Sequence, residues 1–84
     1  MISCAQHDYI EIACLYRIPV RLILRSGDEI TGIALDTVRN GDRQECLKLQ
    51  VGEDEQWVVL DRLQSMEAQV SNPHFERVQF DQAQ

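Results

Sequence analysis

The sequence predicts a mainly β fold with one N-terminal helix: a small, strongly bent, five-stranded antiparallel barrel or sheet, with an extra C-terminal edge strand as an option. Three observations carry that expectation. Eighty-four residues suit one domain spanning 1–84, because domains usually run to ~100–150 residues and rarely split below that. Turn residues at 26–28, 39–42 and 52–55 cut the chain after Pro19 into short segments with strand-like alternation. Gly27 and Gly32 fall where a barrel needs a tight turn and a bend, and closure removes the edges that a short open sheet would expose.

The helix is expected over about 7–17. Asp8 is suited to cap it, because a carboxylate accepts the orphan N–H groups of the first turn. Glu11, three residues on, can close a capping box. Both acids favour the positive end of the helix dipole, and Arg17 suits the other end. Ile12, Ala13 and Tyr16 fall on one stripe with Tyr9, and Ile10 and Cys14 on another. Pro19 ends the helix, since the residue before a proline avoids the α region.

Strands are expected over about 20–67. Val20, Leu22 and Leu24 alternate with Arg21, Ile23 and Arg25, the period of a half-buried strand. Glu29 to Val38 makes the next, with Gly32 marking a bend, a bulge or a close backbone approach. Asn40-Gly41 signals a tight hairpin turn. Cys46, Leu47, Leu49 and Val51 form a third strand, Gln56 to Leu60 a fourth and Leu63 to Met66 a fifth. Asn72-Pro73 breaks the tail (68–84), in which Arg77 to Phe80 can add the edge strand.

Composition narrows the function. Fourteen Asp and Glu face eight Lys and Arg, a formal net charge of −6. A protein that grips phosphates needs clustered cations, whose counterion release supplies much of the affinity, so no direct nucleic-acid contact is expected. Arg17, Arg21 and Arg25 read as solvated or locally paired, with Asp28 and Glu29 nearby. Trp57 reads as core or rim packing, and the aromatics do not interleave with cations as in a single-strand binder. A chain this short has little room for a substrate cleft and its supporting shell, so an enzyme is not expected. No apolar run approaches the ~18 residues of a membrane span, and the first residues lack the pattern of a secretory leader. Three cysteines at 4, 14 and 46 make no disulfide framework, which suits a reducing cytoplasm. Cys4, His7 and Cys14, with Cys46 or His74, fit no standard zinc spacing. Buried thiols are the expectation, with no metal and no cofactor.

Asp8 and Glu11 are the foremost candidates for contact with a cationic partner, with Tyr9 beside them. Their bland role is helix capping, which does not remove their charge. Glu53, Asp54 and Glu55 form a weaker candidate; such runs are usually only solvated, although they can steer a basic partner.

Two stretches resemble known families. Leu24, Gly27, Gly32, Ala34 and Asp36 are similar to the first motif of Sm-like proteins. Ile2, Cys4 and the run Asp8, Ile10, Glu11, Ile12, Ala13, Cys14 resemble the N-terminal segment of bacterial Rho-binding antiterminators, the Rof family. The likeness continues through Leu22, Leu47, Leu49, Leu60-Asp61 and Ser65-Met66, with looser echoes at Asn72-Pro73 and Val78. It departs at Ala5-Gln6-His7 and in the 39–43 hairpin. The resemblance implies an Sm-like fold and a cytoplasmic, non-enzymatic inhibitor of transcription termination factor Rho. Such an inhibitor occupies Rho's N-terminal RNA-binding region and blocks RNA loading; Asp8, Glu11 and Tyr9 would be its contacts, and the chain would be a monomer when free. The alternative is an Sm-like RNA-binding module that assembles into a ring.

Overall fold

The computed structural model describes residues 4–80; Ile2 and the last four residues of the expected tail lie outside them. Helix α1 (Cys4–Leu15) is followed by strands β1 (Pro19–Leu24), β2 (Glu29–Arg39), β3 (Glu45–Val51) and β4 (Asp54–Val59), a 3-10 turn (Leu60–Arg62), β5 (Leu63–Ala68) and β6 (Arg77–Gln79). All pairings are antiparallel, in the order β4-β3-β2-β1-β5-β6. The extra edge strand is therefore present, and the sheet has six strands.

The helix starts by Cys4, earlier than expected. Asp8 thus has helical backbone on both sides and is not the N-cap, so the Asp8–Glu11 capping box does not form. Ala and Gln propagate helices well, which carries α1 through Ala5-Gln6 without a local stop signal. At the other end Arg17 takes a left-handed backbone, φ 50°. Ile18 N–H then reaches the Ala13 carbonyl at 2.9 Å, the closing bond of a Schellman-type end. Helix geometry stops at Leu15, and Pro19 opens β1 instead of ending α1. The buried stripe of α1 is Ile10, Ala13 and Cys14; Ala13 belongs with this set, whereas Tyr9 and Tyr16 flank it.

Strand β2 bends the sheet. Its first half, Glu29 to Ile33, pairs with β1, and Ile33 to Arg39 pairs with β3. The register shifts between Ala34 and Asp36, where an inserted residue raises the local twist. At Gly32 a Cβ would lie 2.6 Å from the Gln50 carbonyl oxygen, so only glycine lets β3 approach this closely. The bent sheet encloses one core, in which Ile10, Leu22, Leu47, Leu49, Leu63 and Met66 are fully buried.

Two hairpin loops share one construction. Leu24 N–H donates to Asp28 O and Gly27 N–H to Leu24 O, at 2.8 and 2.9 Å. Asn40 N–H donates to Gln44 O and Arg43 N–H to Asn40 O, both at 3.0 Å. Each is a three-residue loop whose last residue is left-handed: Gly27 at φ 95° and Arg43 at φ 63°. The two-residue Asn-Gly turn expected at Asn40-Gly41 is therefore absent. The Asn40 carboxamide oxygen instead accepts from Asp42 N–H and Gln44 N–H, both at 2.9 Å. Arg25 falls in the first of these loops and not on β1, so it shares no strand face with Arg21.

The tail is folded back. β6 covers the edge of β5, and Val78 and Phe80 are buried. Asn72 holds the turn before it, its side-chain oxygen accepting from His74 N–H at 2.8 Å and Phe75 N–H at 3.1 Å.

Candidate functional site: an acidic helix face

Successive residues of a helix lie ~100° apart, and this places the side chains of α1 on three flanks. Asp8 and Leu15 stand at the solvent side, and both are exposed. Glu11 leans toward β2 and β3. Tyr9 and Tyr16 lie on the opposite flank against the tail, Tyr9 edge-on to Phe75 at 5.9 Å and Tyr16 stacked on His74 at 4.6 Å. The three foremost candidates thus divide. Asp8 and Glu11 share an exposed stripe, whereas Tyr9, only 38 % exposed, anchors the C-terminal segment.

Strands bring further carboxylates to the Glu11 flank. His7 Nε2 lies 2.8 Å from Glu45 Oε2 on β3, and its Nδ1 is 3.6 Å from Glu11 Oε1. This bridge ties α1 to the start of β3. Asp36 on β2 lines a hollow of about 270 Å³ with Glu11, Cys14, Leu15, Leu35 and Thr37. The Cys14 thiol at its base is pushed up to about 11, first by burial and then by the negative charge of Asp36, with Glu11 adding and Arg17 opposing. Burial likewise pushes the Cys46 thiol up.

Leu15 is 73 % exposed beside these acids. Asp36, Glu45 and Leu15 are the residues that sequence reasoning missed as parts of this face. Leu15 had a signal, an apolar residue at a solvent-side position of the helix. The two acids had none, because strand topology alone carries them to α1.

The weaker candidates sit elsewhere. Asp54 and Glu55 belong to β4, not to a turn, and only Glu53 stays in the connection. From Glu45 at one end of β3 to this hairpin at the other is about 20 Å, at ~3.3 Å per residue. Glu55 meets Lys48 Nζ at 3.8 Å. Trp57 stands on the outer face of β4, half exposed, so it is rim and not core.

The cations are partly neutralised. Arg21 lies 3.5 Å from Glu29 and 3.6 Å from Glu67, matching the expectation of local pairing. Cys14 and Cys46 are buried thiols as expected, but Cys4 is exposed: it sits in the first turn of α1, away from the stripe that meets the sheet.

Comparison with known proteins places the molecule. The family model of the modulator of Rho-dependent transcription termination (ROF) matches residues 1–80. The chain belongs to this Rof family. Among solved structures, YaeO bound to magnesium from Vibrio cholerae O395 matches at 44 % identity with a TM-score of 0.86. The match covers 88 % of this chain and 96 % of that one. No curated protein matches.

Proposed function

We propose that the chain inhibits Rho-dependent termination by docking the Asp8–Glu11 face of α1 on the basic RNA-binding region at the N-terminus of Rho, which blocks RNA loading. The observation that supports this most is a line of carboxylates from three elements along one flank of α1: Glu45 of β3 meets His7 beside Glu11, and Asp36 of β2 shares a hollow with Glu11 and exposed Leu15, with Asp8 on the solvent side. Carboxylates facing Arg and Lys make charge-assisted hydrogen bonds. They offer to a cationic groove what RNA phosphates offer it. Leu15, 73 % exposed beside Glu11 and Asp36, adds apolar surface whose burial on docking would reinforce the ionic contacts.

The chain acts in this reading by occupancy and bulk, as a cytoplasmic protein without catalysis. No helix among the described residues is long and apolar enough to cross a membrane. The Vibrio cholerae protein is described as bound to magnesium. Among the described residues, no three His, Cys, Asp or Glu side chains form a group that could hold a metal ion.

The RNA-binding ring is disfavoured by two features. Acids outnumber cations, fourteen to eight. β6 also covers the β5 edge, which leaves β4, among the described residues, as the sheet end open to a neighbour. The free protein is accordingly a monomer in this reading.

A termination assay with purified Rho tests the proposal. A stoichiometric excess of the protein is expected to raise readthrough at a Rho-dependent terminator. Unchanged readthrough would overturn it.

A further inference from the structure

We infer that the outer edge of β4 is a docking edge for an extended, basic segment of a partner protein, which joins the sheet as a further strand. This does not rest on the α1 face, from which the hairpin end of β4 is separated by the length of β3.

The two ends of the sheet are treated differently. At one end the chain covers β5 with its own β6. At the other, β4 pairs with β3 alone, and among the described residues no further backbone hydrogen bond reaches residues 54–59. An open edge presents a row of unused N–H and C=O groups, which proteins normally blunt with proline, lysine, a bulge or a very short strand. β4 has no proline, lysine or bulge, and its edge charges, Asp54 and Glu55, are confined to its start and are acidic. Its sequence is Asp-Glu-Gln-Trp-Val-Val, and its six pairs with β3 run from Val51↔Asp54 to Cys46↔Val59 without a register shift.

Charge selects the occupant. Glu53 and Asp54 stand exposed at the start of the edge, with Glu55 beside Lys48. A second copy would bring the same acids and another net charge of −6, which opposes self-association. A segment bearing Lys or Arg gains from both. Main-chain bonds to the edge supply affinity, as in other strand-addition complexes, and the acids supply preference for a basic strand. Half-exposed Trp57 on the outer face offers its ring to an incoming cationic side chain.

Trp57 is the chain's single tryptophan and reports on the edge directly. The full chain is titrated with an alternating Lys-Val peptide matched in length to β4, with a Glu-Val peptide, and with the Lys-Val peptide N-methylated at alternate residues. N-methylation keeps charge and apolar surface but removes the strand's donors. The Lys-Val peptide is expected to shift Trp57 emission and slow amide exchange in 54–59. The N-methylated form should bind about tenfold more weakly or worse, given several lost hydrogen bonds. The Glu-Val peptide should not bind. Equal binding of the N-methylated form would reduce the contact to charge attraction and overturn strand addition. Equal binding of the acidic peptide, or protection of 54–59 by dimerisation without any peptide, would overturn the choice of occupant.

Discussion

Leu15 stands on the solvent side of α1 among carboxylates, where an uncovered leucine contributes little to folding. Its Leu15→Ala substitution is expected to leave thermal stability nearly unchanged, because the side chain is 73 % exposed. Affinity for Rho should fall about tenfold, the loss expected when roughly 1–2 kcal/mol of apolar burial is removed; unchanged affinity in a titration calorimeter would remove Leu15 from the interface. The cysteines carry a second expectation. Cys14 has an ordinary value of 9.0 raised to about 11 in the fold. A raised thiol binds more protons when folded than when unfolded, so its contribution is fully present below pH ~9 and lost as pH rises through about 11. Urea midpoints should therefore decline across that window, and a Cys14→Ala variant should decline less, measured from its own midpoint at neutral pH. At this scale Asp8 and Glu11 were legible in the sequence as exposed acids. The capping role expected of them does not form, because a cap depends on where the helix begins, and nothing in Cys4-Ala5-Gln6 marks that place.

Among the elements, the paired hairpin loops show what a turn motif conceals. Gly27 fills the left-handed position of the first loop, and Arg43 fills the same position of the second. A left-handed non-glycine residue costs roughly 1–2 kcal/mol, partly offset by the freedom that glycine loses on folding. Arg43→Gly should therefore stabilise the protein by about 0.5–1 kcal/mol, read as a higher urea midpoint; a lower midpoint would mean that the arginine side chain holds the loop. Asn-Gly at 40–41 misled because Asn40 serves as a side-chain acceptor outside the turn's centre. Strands β1 to β5 were legible because alternation and turn residues agree there; β4 starts two residues early and ends one residue early at the 3-10 turn, and β5 starts at Leu63 as expected and runs two residues longer. The burial of Ala13 followed a different stripe, since the sheet decides which flank of a weakly amphipathic helix turns inward.

Across the whole molecule, topology supports the proposed function. A small bent six-stranded sheet here carries a formal charge of −6, and it brings acids from distant parts of the chain to one helix flank. The bent β2 brings Asp36 to Glu11, and the His7–Glu45 bridge fastens helix to sheet. Contacts of this kind are screened by salt over a Debye length of ~8 Å at physiological ionic strength. Affinity for Rho should accordingly fall as salt rises, and the slope should flatten when Asp8 and Glu11 are reversed in charge; an unaltered slope would place the ionic contacts elsewhere.

Displacement of RNA from Rho is the sharpest check on docking through α1. Fluorescence anisotropy of a labelled RNA bound to Rho's N-terminal region, titrated with this protein, should fall to the value of free RNA. The Asp8→Lys, Glu11→Lys double variant, folded by circular dichroism, should need at least about tenfold more protein for the same displacement. Displacement by the double variant at the wild-type concentration, or wild-type binding to Rho that leaves the RNA in place, would contradict the account.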